Sequence, residues 1–370
     1  MNGPVTHSLL QVRSAAAALA REPGTLSLTG PRAHRATMAA AAVVLAVPIG
    51  CAMNLPDVWW AAISAVISTM PTRPASVEKS LLRLIGTAVG AALGYTLIGW
   101  IAYDHVACCL ALFAVSSIAI LGMAVSPHGY AWIFLGVTFA LVVLVSLNDP
   151  AQAFSVAIYR TLEVGVGITC AILVATLLAP DAPAAAATPP EPPGWHDLFG
   201  AQWPAVTYAL RSGIVIAALP VIWNTLYLPG VATMAVTVAA VMAVPQLPGH
   251  ALDDPARLTA KAAYRLLGCF VGGIAGLAVI VLSPTVLVLW LALLCGGVWF
   301  FVWLQDSPTG AGYVGTQAAV VYIVTLVQGE GPPLSVLPGI DRFAGIVFGI
   351  VTLLVFTALL RPIAARAQPS

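Results

Sequence analysis

Charge is what this sequence has least of. Lys, Arg, Asp and Glu together make up 8% of its 370 residues, where a soluble domain carries roughly 25%. So few ionisable side chains cannot cover a water-facing surface. With 60% hydrophobic residues and a mean hydropathy of +0.97, the chain reads as an integral membrane protein. The formal net charge is +1, from 15 Lys and Arg dispersed along the chain. These make no basic face of the kind a phosphate backbone requires, which excludes a nucleic-acid partner. Metal chemistry is missing too. Cys51, Cys108, Cys109, Cys170, Cys269 and Cys295 lie in apolar runs without CxxC spacing, and the six histidines have no ligand spacing, so no metal site is expected. There is no GxxxxGK phosphate loop and no nucleophile beside a base or pair of carboxylates in the apolar segments. The chain is expected to be no enzyme and to hold no cofactor. Residues 1–30 lack the basic start, apolar core and cleavage site of a signal peptide, and Ser8 to Glu22 reads as a weakly amphipathic cytoplasmic helix.

What is present is apolar runs in a repeated order. They fall at about 36–53, 57–70, 84–103, 106–125, 130–147 and 158–179, then at 212–227, 230–244, 266–283, 286–304, 312–328 and 343–360. Residues 83–180 recur 182 positions later: Arg83, Gly86, Gly90 and Gly94 return as Arg265, Gly268, Gly272 and Gly276, and Arg160, Gly167 and Pro180 as Arg342, Gly349 and Pro362. The expected fold is an all-α membrane protein of about 12 transmembrane helices, built as two six-helix repeats that form a pseudo-dimer. Its parts are a cytoplasmic segment 1–34, a first repeat 35–180, a Pro/Ala-rich cytoplasmic linker 181–210, a second repeat 211–362 and a tail 363–370. The second helix of each repeat, after the corners Leu55-Pro56-Asp57-Val58 and Leu228-Pro229-Gly230-Val231, is short for a bilayer that needs about 20 apolar residues. Such a helix must be broken, re-entrant or sheltered by its neighbours.

With the N-terminus inside, thirteen of the fifteen basic residues flank cytoplasmic ends. An even helix count per repeat then makes the repeats parallel and leaves both termini in the cytoplasm. The exceptions, Arg160 and Arg342, are equivalent positions at the outer start of the sixth helix. They read either as interfacial anchors or as a paired anion site. Glu163, three residues after Arg160, lies on the same face and is a candidate to neutralise it or carry a proton; its equivalent is Gly345. Arg83 with Arg265, and Arg35 with Arg211, hold the cytoplasmic boundary or form rings of positive charge that select anions. Gly86, Gly90 and Gly94, with Gly268, Gly272 and Gly276, line one face of the third helix of each repeat, as close helix packing requires. The tryptophans, among them Trp59, Trp60, Trp290, Trp299 and Trp303, suit a membrane-interface belt or the stacking of aromatic ligands.

Arg35 opening a first helix, the Leu-Pro corner, a short helix ending near Pro71, and Arg83-Leu84-Ile85-Gly86-Thr87 followed by Gly90 and Gly94 together resemble the fusaric acid resistance and aromatic acid exporter family. The closing Arg160-Thr161-Leu162-Glu163 with Gly165, Gly167 and Pro180 is similar to that family's last helix. The resemblance implies a bacterial inner-membrane exporter of aromatic or other hydrophobic organic acids, driven by the proton gradient. Its partners would be membrane lipid, a small organic anion and a periplasmic adaptor protein. The wider superfamily includes plant aluminium-activated malate channels, so a passive anion channel is an alternative. A non-transporting scaffold subunit is another.

Overall fold

The computed structural model of the chain describes all residues except 1–12, 14–15, 18, 182–193, 197, 201, 228–229, 244–254, 283–285, 309–311, 330, 334 and 367–370. Most of the expected N-terminal helix, the centre of the expected linker, the Leu228-Pro229 corner and Pro245 lie outside the described residues.

The described residues form α-helices and short 3-10 turns. A chain that cannot offer its backbone to water must satisfy each N–H and C=O internally, and the α-helix does so within one segment. Among the described residues twelve α-helices follow Gly30: α1 (Pro31–Ala52), α2 (Trp59–Ser68), α3 (Arg73–Ile101), α4 (His105–Val125), α5 (Gly129–Ser146), α6 (Ala153–Leu178), α7 (Trp203–Leu226), α8 (Val231–Met242), α9 (Pro255–Val281), α10 (Leu287–Gln305), α11 (Gly312–Leu326) and α12 (Leu337–Arg366). Nine are long and apolar enough to cross a membrane, and α2, α8 and α11 are shorter. The ten residues of α2 span only ~15 Å at 1.5 Å per residue, half the hydrocarbon thickness. This helix is sheltered: Trp60 to Val66 and Ser68 are buried.

Several helices begin well before the apolar runs do. Helix α3 starts at Arg73 and not near 84, because hydropathy falls across Arg73, Glu78, Lys79 and Arg83 while the helix continues. Ser76, Ser80 and Arg83 are spaced four and three residues apart, share one face, and are at most 1% exposed. The start of α3 therefore turns a polar face inward. Helix α7 likewise begins at Trp203, inside the stretch expected to be linker.

The chain divides into two compact units. The first comprises residues 1–84, 159–187 and 260–343; the second comprises 85–158, 188–259 and 344–370. In the first, α1 and α2 pack with α10 and α11, around a core that includes Met38, Val43, Val47, Ile63, Trp290 and Phe301. In the second, α4 and α5 pack with α7 and α8. Each unit thus joins the first two helices of one sequence repeat to the fourth and fifth of the other.

The glycine rows mark where backbones touch. In the second unit a Cβ on Gly86 or Gly90 would meet the carbonyl of Ala131 or Leu135 in α5, and one on Gly94 would sit 2.8 Å from the Val142 Cβ. In the first unit, Gly268 and Gly272 face the carbonyls of Val314 and Ala318 in α11, and Gly276 faces Thr325. A carbonyl at that range cannot yield to a methyl group without moving its helix. Gly90→Val and Gly272→Val should each destabilise the protein by about 1–3 kcal/mol or more through overpacking. Gly99→Ala, where nothing lies within 4 Å, should be neutral or stabilising. Thermal denaturation of the purified protein in detergent tests this: equal melting temperatures for all three would refute the close-packing account.

Candidate functional site

Within the first unit, the chain between α1 and α2 makes a tight corner. Asn54 turns it with φ 52°, a left-handed conformation that Asn tolerates better than most residues, and the Leu55 N–H donates to the Gly50 carbonyl at 3.1 Å. The corner delivers Asp57 to the side of α6. The Asp57 backbone N–H donates to Glu163 Oε1 at 2.8 Å. Arg160 Nη1 donates to Glu163 Oε2 at 3.1 Å, and Arg160 Nη2 to Asp57 Oδ2 at 3.3 Å. The Trp59 indole N–H donates to Asp57 Oδ1 at 3.1 Å. Glu163 is 1% exposed and Arg160 7%, while the Asp57 side chain is 43% exposed. A guanidinium in an apolar unit costs several kcal/mol of desolvation, so both carboxylates are needed to hold it there.

Arg342, near the start of α12, joins the same group. Its guanidinium carbon lies 4.2 Å from the Trp59 ring centroid, and its Nη1 donates to the Val324 carbonyl at 2.9 Å. Arg160 lies 4.2 Å from the Trp60 ring and 5.8 Å from the Trp59 ring. The equivalent arginines of the two repeats therefore converge on one tryptophan, close enough for their charges to repel and for Asp57 to attract both. Among the described residues, Arg342 has no carboxylate within ion-pair distance; its charge is balanced by an indole face and a carbonyl.

The second unit builds the equivalent contact without charge. Gly345 stands where Glu163 would recur, and Gly230 where Asp57 would; a Cβ on Gly345 would lie 3.0 Å from the Gly230 carbonyl. Backbones approach there in place of an ion pair.

The other arginines singled out from the sequence sit elsewhere. Arg35 forms an ion pair with Asp306, and its Nε donates to the Thr69 carbonyl at 3.2 Å. Beside it, Arg32 lies 3.8 Å over the Trp303 ring and pairs with the buried Glu22 at 3.0 Å, and Ser307 donates to Glu22. This cluster and the Arg160 cluster lie at opposite ends of α1, a helix of 22 residues and ~33 Å. Arg83 is buried and donates from Nε to Ser64 Oγ at 3.2 Å; Arg265 is buried and donates to Gln317 Oε1. Arg211 lies partly buried in α7 of the second unit, whereas Arg35, Arg83 and Arg265 belong to the first. Trp290 and Trp303 are at most 1% exposed, so both are core residues and not belt residues. Among the described residues there is no cluster of His, Cys, Asp and Glu that could hold a metal, and all six cysteines are free.

Sequence reasoning missed Asp57. It was visible only as part of a turn, and no spacing rule links a corner residue to a helix about 100 positions away. A close reading of the asymmetry would have paired it with Glu163, since both are replaced by glycine in the second copy.

Among the described residues, nine helices apolar and long enough to cross a membrane and a buried ionic cluster mark a multi-pass, all-α membrane protein. Residues 35–189, less than half of the chain, match the fusaric acid resistance protein family. The p-hydroxybenzoic acid efflux pump subunit AaeB of Escherichia coli O9:H4 (strain HS) is 28% identical over 172 residues, covering 42% of this chain and 26% of that protein. The subunit of the same name from Enterobacter cloacae subsp. cloacae is 26% identical over 170 residues, with the same coverage. The matched region therefore spans about a quarter of the length of these relatives. Both are named as efflux pump subunits. No solved structure matches the chain.

Removing one member of the buried pair should be far costlier than removing both. Arg160→Met is expected to lose about 3–5 kcal/mol by stranding the Glu163 charge, whereas Arg160→Met with Glu163→Met should recover most of that loss. A double-mutant cycle of thermal stability in detergent measures the coupling, and strict additivity of the two substitutions would remove the ion pair from the account.

Proposed function

We propose that the protein exports aromatic or other hydrophobic organic acids across the bacterial inner membrane, driven by the proton gradient. The observation that carries this reading is the convergence of Arg160, Arg342 and Asp57 on Trp59, with Glu163 paired to Arg160 beside them. Ionisable side chains among membrane helices are retained where they handle an ion or a proton. An arylcarboxylate needs a cation for its carboxylate and an aromatic face for its ring, and Arg342 beside Trp59 supplies both chemistries. Glu163, buried between Arg160 and the Asp57 N–H, is the group suited to couple the movement of an anion to that of a proton. The names of the relatives as p-hydroxybenzoic acid efflux pump subunits support the same substrate class, and the word subunit supports a partner protein, which we place at the periplasmic side.

Two parallel six-helix repeats with both termini cytoplasmic belong to the same proposal. Under it, the Arg160 cluster faces outward, and the Arg32–Glu22 and Arg35–Asp306 cluster faces inward. Arg83 and Arg265 would then lend positive charge to the inner end of the path.

Everted membrane vesicles containing the protein should accumulate p-hydroxybenzoate when a pH gradient is imposed, and collapse of the gradient should release it. Accumulation that ignores the gradient would replace the exporter by a passive anion path. Glu163→Gln should lose gradient dependence, and Arg342→Gln should raise the half-saturating concentration about tenfold or more, as expected for a lost charge-assisted contact of about 1.4 kcal/mol.

A further inference from the structure

Asp57 is the odd member of the cluster. Glu163 is locked by two hydrogen bonds and is 1% exposed, but Asp57 is 43% exposed, and its contact with Arg160 is long at 3.3 Å. Charge-assisted N–H to carboxylate bonds usually close to about 2.7–2.9 Å. Arg160 is also incompletely used. Its Nη1 is committed to Glu163, its Nη2 is loosely held by Asp57, and its Nε has no hydrogen-bond partner despite being buried. The Nε and Nη2 atoms form one edge of the guanidinium, the fork that a carboxylate can take with two oxygens at once. That edge is thus only half satisfied in the present state.

The group touching it has a recognisable chemistry. The Asp57 carboxylate is hydrogen-bonded to the Trp59 indole, the indole lies under Arg342 at 4.2 Å, and Asp57 attracts both arginines. A carboxylate held beside an aromatic ring between two guanidinium groups has the composition of a bound aromatic acid, supplied by the chain itself. We propose that Asp57, with Trp59, is a tethered competitor that occupies the carboxylate position of the transported acid, and that the ligand binds by displacing Asp57 from the Nε and Nη2 edge of Arg160. This rests on the exporter reading. In the displaced state the Asp57 backbone stays fixed to Glu163 through its N–H while the exposed carboxylate rotates away. The device keeps the Nη2 side of Arg160 paired when no substrate is present. It also admits only ligands able to replace a carboxylate.

The test is equilibrium binding of radiolabelled p-hydroxybenzoate to the full-length protein in detergent. If Asp57 covers the site about nine-tenths of the time, removing its charge raises apparent affinity ~10-fold. Asp57→Asn, which still accepts from the Trp59 indole, should therefore bind at least tenfold more tightly than the wild type, and Asp57→Glu should not. Glu163→Gln removes a charge at similar range but from a locked position, so its affinity should rise less than threefold. An equal rise in Asp57→Asn and Glu163→Gln would show general electrostatics and overturn the competitor. So would binding by Asp57→Asn no tighter than by a wild type that binds and transports the acid, and the exporter reading would survive that result. A wild type that neither binds nor transports p-hydroxybenzoate or benzoate would overturn both. Should Asp57→Asn prove unstable, Asp57→Ser carries the same expectation.

Discussion

One buried guanidinium organises the first unit. Arg160 is 7% exposed among apolar helices, and its charge can stay there only if carboxylates reach it. Glu163 comes from the next turn of the same helix, but Asp57 has to be brought from a distant segment. For that, α1 must end at Ala52, the chain must turn at Asn54, and α2 must start at Trp59, close against α6. Gly167 permits the approach: it lies one turn beyond Glu163 on the same face, and a Cβ there would strike the Ala61 carbonyl in α2. Arg160, Glu163 and Gly167 together form a single stripe of α6, the first two gripping the corner electrostatically and the third admitting the short helix that follows it. The brevity of α2 and the position of the charge are two sides of one constraint.

The second unit shows what becomes of that constraint when the charge pair is not kept. Gly345 and Gly230 take the places of Glu163 and Asp57, and the contact becomes one of backbone against backbone. Tyr227, at the position equivalent to Asn54, makes the same left-handed turn at φ 51°, and Gly230, at the position of Asp57, adds a second positive φ of 68° that glycine accommodates. The two corners are equivalent in order and different in chemistry. The ionic corner is thus kept in the first copy, and Arg342, the matching arginine of the second, is drawn to it by the Trp59 ring and by Asp57.

Much of this was legible before any coordinates, and the reasons for the gaps are physical. Composition and run length gave the membrane class and twelve helical segments because hydropathy integrates over many residues. Arg160 and Arg342 stood out as the two basic residues outside the expected cytoplasmic flank, and Glu163 followed from helical spacing. The start of α3 was misplaced by about ten residues because a helix with an inward polar face, Ser76, Ser80 and Arg83, looks like a loop to any hydropathy measure. Asp57 was hidden because a carboxylate in a turn is ordinary, and only the fold brings it to α6. Gly345 in place of Glu163 leaves Arg342 without a carboxylate on its own helix face, but nothing in the sequence shows that an indole fills part of that role. The packing partner of each repeat was also hidden: nothing in the pattern says that the first two helices of one copy cover the fourth and fifth of the other.

The two ends of α1 carry the remaining step. Between the Arg160 cluster and the Arg32, Glu22, Arg35 and Asp306 cluster runs a core of Ala, Val, Ile and aromatic side chains with little polar character. A carboxylate cannot cross ~30 Å of such material bare, because an isolated charge in hydrocarbon costs far more than any single contact returns. Under the proposed transport, then, the charge must be handed between fixed partners or travel with a proton. The Glu22 cluster is held more fully than the Arg160 cluster: Glu22 is 2% exposed and accepts from Arg32, Thr25 and Ser307, whereas the Asp57 side chain is 43% exposed. Loosening is thus cheaper at Asp57. An anion that replaces Asp57 there meets a site already paired on its far side by Glu163, which is where a proton would have to act for the two movements to be linked.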